Sequence, residues 1–192
     1  RVKINPKEEL AVIQYTGGTT GLPKGCMLTH YNITSNIFQI SLGATLKRTR
    51  DDIILAHLPF YHIYGMTILI CTSLCFGLSI VIQKRFDMEE FLKLIQKFKV
   101  TIVSTVMPVI TLLSQFPDLL KQYDLSSLRY ISSGATPIVP ETAREFEKVT
   151  GVKVTQGYGL SETSPTTHTN PLSQIKLESV GPPIPDTLQK IV

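Results

Sequence analysis

The run Leu78-Ser79-Ile80-Val81-Ile82 leads through a polar turn into Asp87-Met88-Glu89-Glu90-Phe91-Leu92-Lys93-Leu94-Ile95-Gln96-Lys97-Phe98, and then into Thr101-Ile102-Val103-Ser104-Thr105-Val106. The outer pieces are short, apolar and rich in β-branched residues, which reads as strands buried on both faces. In the middle piece Phe91, Leu92, Leu94, Ile95 and Phe98 recur at helical spacing opposite Glu89, Glu90, Lys93 and Lys97. That pattern predicts a helix with one wet face. Strand, helix and strand in this order make a βαβ unit, whose two strands run parallel.

The alternation continues in both directions. Residues 11–15 and 53–58 read as strands, and 32–44 as a helix with Asn32 as its N-cap. Downstream come a helix after Pro108, a strand at 128–132, a helix over 140–150 and a strand at 153–156. The expected fold class is α/β, a mostly parallel sheet with helices on both faces. Residues 53–83 hold no Asp, Glu, Lys or Arg. Residues 63–82 come close to the roughly 20 apolar residues that a membrane span needs. Pro59, Gly65 and Gly77 interrupt the run, which favours a buried helix leading into a buried strand; a membrane-inserted segment is the rival reading.

The chain has 192 residues, a net charge of +4, 43% hydrophobic residues and 18% charged ones. Its mean hydropathy is +0.14. About 25% charged residues is ordinary, so the surface is expected to carry an apolar patch, through which the chain would self-associate, and peripheral membrane contact stays open. Disorder is excluded by this composition, and the small net charge argues against a nucleic-acid partner. Cys26, Cys71 and Cys75 form no CxxC pair, so neither a disulfide framework nor a zinc site is expected. Reduced thiols, Cys71 and Cys75 in the core, fit a cytoplasmic location. The chain opens on Arg1 and stops on an apolar dipeptide, which reads as a piece of a longer protein.

Four of the twelve glycines lie in Thr16-Gly17-Gly18-Thr19-Thr20-Gly21-Leu22-Pro23-Lys24-Gly25. Hydroxyls, open backbone N–H groups and one ammonium suit a polyphosphate. The run is not a Walker A loop, because Pro23 precedes Lys24 and Gly25 replaces the metal-binding hydroxyl. A flexible turn between two strands is the alternative. Further candidates are Gln156-Gly157-Tyr158-Gly159-Leu160-Ser161-Glu162, Ser133-Gly134-Ala135-Thr136-Pro137, and Leu58-Pro59-Phe60-Tyr61-His62-Ile63-Tyr64-Gly65. Tyr158 offers a ring face to a planar base and Glu162 an oxygen to a hard cation. Each also has a plainer reading: an exposed turn for Tyr158 and Glu162, and a satisfied core histidine for His62.

Together these segments, in this order, resemble the adenylate-forming (AMP-binding) superfamily, which includes acyl-CoA synthetases, 4-coumarate-CoA ligases, firefly-type luciferases and nonribosomal-peptide adenylation domains. The resemblance implies that a carboxylate attacks the α-phosphate of ATP, giving an acyl-adenylate and pyrophosphate, and that coenzyme A then takes the acyl group. It implies that Thr16, Gly17, Gly18, Thr19, Thr20, Gly21 and Lys24 hold the phosphates. Thr16 and Glu162 would bind Mg²⁺, and Gly134, Ala135 and Thr136 would line the adenine and acyl sites. Gln156, Gly157, Tyr158, Gly159 and Ser161 would surround the nucleotide. The catalytic set would be Lys24, Glu162, Ser161 and His62, with His62 where the acyl tunnel meets the α-phosphate.

On this reading the chain is a partial AMP-binding domain, with a phosphate loop at 15–25, a lobe at 30–165 and a truncated tail at 166–192. The family's upstream lobe and C-terminal lysine domain would lie outside it, and the fragment alone would be inactive or weakly active. Ser161 stands where the family more often has Thr. The aromatic run at 60–64 favours a fatty or aryl acid, with amino-acid-adenylating or luciferase-like activity as alternatives.

Overall fold

The computed structural model describes residues 2–17, 21–42 and 48–191. An antiparallel hairpin pairs β1 (Leu10–Thr16) with β2 (Lys24–Thr29) and leads into α1 (His30–Leu42). A second sheet holds β3 (Ile53–Ala56), β4 (Ser79–Ile82), β5 (Ile102–Thr105), β6 (Tyr130–Ser133), β7 (Val154–Gly159) and β8 (Thr166–Thr169). Its strand order is β4-β3-β5-β6-β7-β8, parallel except for the β7–β8 pair. The connections carry a π-helical segment Tyr64–Cys71, α2 (Thr72–Phe76), α3 (Met88–Phe98), α4 (Met107–Ser114), α5 (Pro117–Leu120) and α6 (Pro140–Thr150).

Alternation along each strand sorts the core into two faces. Leu55, Val103, Ile131 and Val154 meet Phe91, Leu92 and Ile95 of α3, Met107, Ile110 and Leu113 of α4, and Ala143 and Phe146 of α6. Ile54, Ala56, Ile102 and Tyr130 project the other way, onto Ile40 of α1 and Ile68 and Leu69 of the π-helical segment. Helices therefore cover both faces, as the βαβ pattern predicts. From β3 the chain passes to β4 on one side and afterwards to β5 on the other, so the connections diverge at β3. Such a reversal leaves a crevice at the carboxyl ends of the strands.

Several local expectations are corrected. The helix expected to start at Asn32 starts at His30, and Thr29 is its cap. Asn32 N–H donates to Thr29 Oγ1 (3.2 Å) while Thr29 N–H donates to Asn32 Oδ1 (2.9 Å), a reciprocal capping box. Residues 43 and 44 lie outside the described residues. The strand β4 is a half-exposed sheet edge, with Ile82 61% exposed, because β3 is its one partner strand. Cys71 is half-buried but Cys75 is exposed, since the wet stripe of the 64–76 helix also carries Leu74. Burial pushes the Cys71 thiol up. That helix ends at Gly77, whose φ of 68° forms a left-handed cap. No helix among the described residues is long and apolar enough to cross a membrane. Residues 166–169, expected in a tail, form β8, and Leu177 and Ile184 are buried in the two cores.

The hairpin's inner side chains, Val12, Cys26 and Leu28, pack on Ile33, Ile37 and Ile63. Its outer face leaves Ile13, Tyr15 and Met27 at 51%, 68% and 67% exposure. An apolar patch is thus present, with Ile13 and Met27 facing each other across the hairpin.

At the amino ends of the central strands, the buried carboxylate of Asp52 accepts from Arg129 Nη1 (2.6 Å), Thr101 Oγ1 (2.8 Å) and Thr49 N–H (2.7 Å). Burial opposes its ionisation, but these donors prevail and hold the carboxyl below its usual range. Replacing Asp52 by Ala should lower the stability of the complete protein by about 3 kcal/mol, because buried donors lose their acceptor. An unchanged denaturation midpoint would refute this. His57 packs between Phe86 and Phe91, with ring centroids 5.7 and 5.4 Å away, and burial lowers its pKa to about 4. The unfolded ring takes up a proton near pH 6.5, so between about 6.5 and 4 the unfolded state binds more protons and stability falls as pH falls. His57→Phe should flatten that limb of the stability-versus-pH curve.

Candidate active site

Thr16 and Lys24 are the last paired residues of the β1–β2 hairpin, and Thr16 Oγ1 donates to the Lys24 carbonyl (3.4 Å). The two ends of the glycine-rich run are therefore paired across a hairpin. Strand β2 gives little sequence signal, because Lys-Gly-Cys-Met-Leu-Thr has one β-branched residue. Gly18, Thr19 and Thr20 lie outside the described residues. Gly21, with φ of 93°, sits in the tip and away from the cavity wall. Gln14 Nε2 donates to the Tyr61 carbonyl (2.9 Å), which ties the hairpin to the segment carrying His62.

Below the hairpin a cavity of about 470 Å³ opens beyond the carboxyl ends of β6 and β7. That volume is in the ordinary range for small-molecule sites. The structure brings Thr16, Gly17, Lys24, His62, Gly134, Ala135, Gly157, Tyr158, Gly159, Ser161 and Glu162 to its wall. Two expected residues are turned elsewhere. Gln156 alternates onto the α6 face of the sheet, where its amide donates to the Leu177 and Ser179 carbonyls (2.9 and 2.7 Å). Thr136 Oγ1 accepts from Met107 N–H (3.1 Å) at the start of α4 and lines a separate depression.

Each wall residue has a local reason for its place. Tyr158 is flanked by glycines because β8 runs close behind them. A Cβ on Gly159 would lie 2.1 Å from the Pro165 carbonyl oxygen, and one on Gly157 would lie 2.9 Å from that of His168. The Tyr158 ring is 48% exposed and 6.2 Å from the His168 ring, leaving a face for a planar ligand. Ser161 and Glu162 stand on a 3₁₀ turn, Ser161–Thr163. Glu162 lies near β2, since its negative charge adds to burial in pushing up the Cys26 thiol. Buried Asn36 of α1 brackets β8, donating to the Thr166 carbonyl (2.7 Å) and accepting from Thr166 N–H (3.1 Å). His62 is exposed at the mouth rather than in the core; its Nδ1 accepts from Tyr64 N–H (3.1 Å), so the neutral ring carries its proton on Nε2.

Among the described residues no group of three or more His, Cys, Asp or Glu could hold a metal by itself. One carboxylate with hydroxyls beside it suits Mg²⁺ that arrives on phosphates, because this ion keeps waters and takes few protein ligands.

Sequence reasoning passed over Arg48 and Ser132, which also line the cavity, and gave Tyr64 and Ser133 no role of their own within the segments it singled out. Arg48 belongs to Lys47-Arg48-Thr49-Arg50, a basic stretch with no recognisable motif. Tyr64 was legible only as part of an aromatic segment. Its hydroxyl reaches the Ser132 carbonyl (3.3 Å), and its ring packs where a Cβ on Gly134 would come within 3.2 Å.

The family profile described as AMP-binding enzyme matches residues 1–192. A long-chain-fatty-acid–CoA ligase of Bacillus subtilis is 41% identical over 186 residues, 96% of this chain and 33% of the relative. A probable 4-coumarate–CoA ligase of Dictyostelium discoideum is 38% identical over 193 residues, 100% of this chain and 35% of the relative. The chain thus spans about a third of the length of these relatives. Among solved structures, ATP-bound MatB from Rhodopseudomonas palustris is similar with a TM-score of 0.86 and 32% identity, over 96% of this chain and 35% of that one.

Gly159→Ala should force β8 and the Tyr158 wall apart, because the obstacle is backbone and cannot rotate away. A loss of about 3 kcal/mol in stability is expected, read as a lower denaturation midpoint of the complete protein. Wild-type stability in this variant would contradict the packing argument.

Proposed function

We propose, for a chain that belongs to the AMP-binding enzyme family, that the complete protein activates a carboxylic acid with ATP and passes the acyl group to coenzyme A. A carboxylate oxygen bonds to the α-phosphorus, the bond to pyrophosphate breaks, and the thiol sulfur then displaces AMP. The observation that carries this reading is the single cavity that gathers Lys24 and Thr16 from the hairpin with Ser161 and Glu162 from the 3₁₀ turn and Tyr158 from β7.

The residues divide the work by chemistry. Lys24 would offset charge on the departing pyrophosphate, and the Thr16 and Ser161 hydroxyls would donate to phosphate oxygens. Tyr158 would stack on the base, fixing the nucleotide while the acid is held in line. His62 would donate from Nε2 at the mouth. Mg²⁺, held by Glu162 and Thr16, would supply Lewis-acid neutralisation of the phosphates. The fatty or aryl preference draws support from the cavity wall, where Glu162 is the sole acidic side chain among the described residues, so none remains to pair with an amino acid's ammonium. No side chain is required as a covalent nucleophile.

In the complete protein, Lys24→Ala and Glu162→Ala should each lower acid-dependent ATP–pyrophosphate exchange by roughly 10²- to 10³-fold, the scale of losing one transition-state charge partner. Exchange at the wild-type rate in both variants would overturn the site assignment, and exchange with amino acids alone would overturn the substrate class.

A further inference from the structure

The cavity changes character with depth. Lys24, His62 and Tyr158 at the mouth are exposed, whereas Arg48, Ile40, Ile68 and Ser133 on the same wall are 7%, 2%, 5% and 0% exposed. Arg48 is thus a cation at the floor. Its Nη1 donates to the Ile68 carbonyl (3.0 Å), its Nε has no partner, and it joins no ion pair with an acidic residue among the described residues. Around it hydroxyls stand among the apolar side chains of Ile40 and Ile68. Tyr64 reaches the Ser132 carbonyl and faces the Ser104 hydroxyl, the Tyr130 hydroxyl faces Arg48, and the Ser133 hydroxyl is buried without a partner. Burial pushes the Tyr64 hydroxyl up to about 12 against the opposing pull of Ser132, Ser104 and Arg48, so it stays a donor at neutral pH.

A guanidinium held out of bulk water without a counter-ion is costly, and the Ile68 carbonyl with the Tyr130 hydroxyl cannot satisfy all five of its N–H groups. An alkyl chain or an unsubstituted ring reaching this floor would leave that charge uncompensated. A carboxylate matches the planar fork and can take two hydrogen bonds at once. The phosphate donors Thr16 and Lys24 stand at the other end, on the hairpin, so the anion at the floor is one that the acid substrate brings.

We infer that Arg48 is the specificity-determining residue of the acid subsite, and that the substrate is a dicarboxylic acid whose second carboxylate binds Arg48 at the cavity floor. This rests on the adenylating reading above and narrows it from fatty or aryl acids in general to those with a charged far end.

The test is ATP–pyrophosphate exchange by the complete protein with matched acids: adipate against hexanoate, suberate against octanoate, and terephthalate against benzoate. The wild type should favour the diacid of at least one pair in kcat/KM by roughly tenfold to a hundredfold, the worth of one charged hydrogen-bonded pair. Arg48→Met should reverse that preference with the KM for ATP unchanged, and Arg48→Lys should restore part of it. Monoacid preference in every wild-type pair would overturn the inference while leaving the adenylating reading intact, and needs no variant to fold. A raised KM for ATP in Arg48→Met, with the acid preference unmoved, would also overturn it by assigning the anion to the nucleotide. Absence of exchange with every acid would bring down the adenylating reading itself, and this inference with it.

Discussion

A buried carboxylate at the amino ends of the strands holds the register on which the rest of the molecule depends. Asp52 gathers Thr49, Thr101 and Arg129, so the starts of β3, β5 and β6 are tied to one acceptor, and the Ile53 N–H donates to Thr101 Oγ1 (3.0 Å) beside it. Strand side chains alternate, so a slip of one residue would exchange the two faces of the sheet. Ile54 and Leu55 would trade cores, and Ser132 would turn away from the cavity. The ion pair acts at one end of the strands, and its consequence appears at the other end.

The two halves of the cavity wall come from elements that never adjoin in sequence. The hairpin is tied to the His62 segment by Gln14, and β8 is clasped to α1 by Asn36. These contacts are polar and specific, which places Lys24 and Thr16 opposite Ser161 and Glu162 across the cavity beyond the carboxyl ends of β6 and β7. Preorganisation of this kind is what phosphoryl chemistry asks of a protein, because charge stabilisation and alignment do the work and no covalent side chain is required. The exposed face of Ile13, Tyr15 and Met27 lies on the outer side of the same hairpin, and the cavity lies beneath it.

Much of the fold was legible along the chain. The α3 stripe of Phe91, Leu92 and Ile95 and the apolar β5 and β6 strands carry strong periodic signals, and the parallel order of the sheet follows from them. The strands β2 and β8 were not legible. Lys24–Thr29 and Thr166–Thr169 lack the apolar alternation of core strands and exist because a partner strand supplies their hydrogen bonds. The site was legible where backbone chemistry is local, as in the glycine-rich run and the Gly157–Gly159 segment. It was misread at Gln156 and Thr136, whose side chains are taken by Leu177, Ser179 and Met107. Both residues neighbour wall residues in sequence, and strand alternation or a turn points them to the opposite face.

The sequence by itself determined which segments are strands and helices in the βαβ core, because periodicity and capping depend on neighbours a few positions apart. It also determined which segments carry phosphate-compatible chemistry, because glycine, hydroxyl and ammonium groups stand together in one run. Only the tertiary structure decided that Arg48 is a buried cation on a cavity floor. Burial of a charge depends on what packs over it, here the Ile68 turn and the sheet beneath Tyr130, and those surfaces are brought to Arg48 by folding and not by sequence.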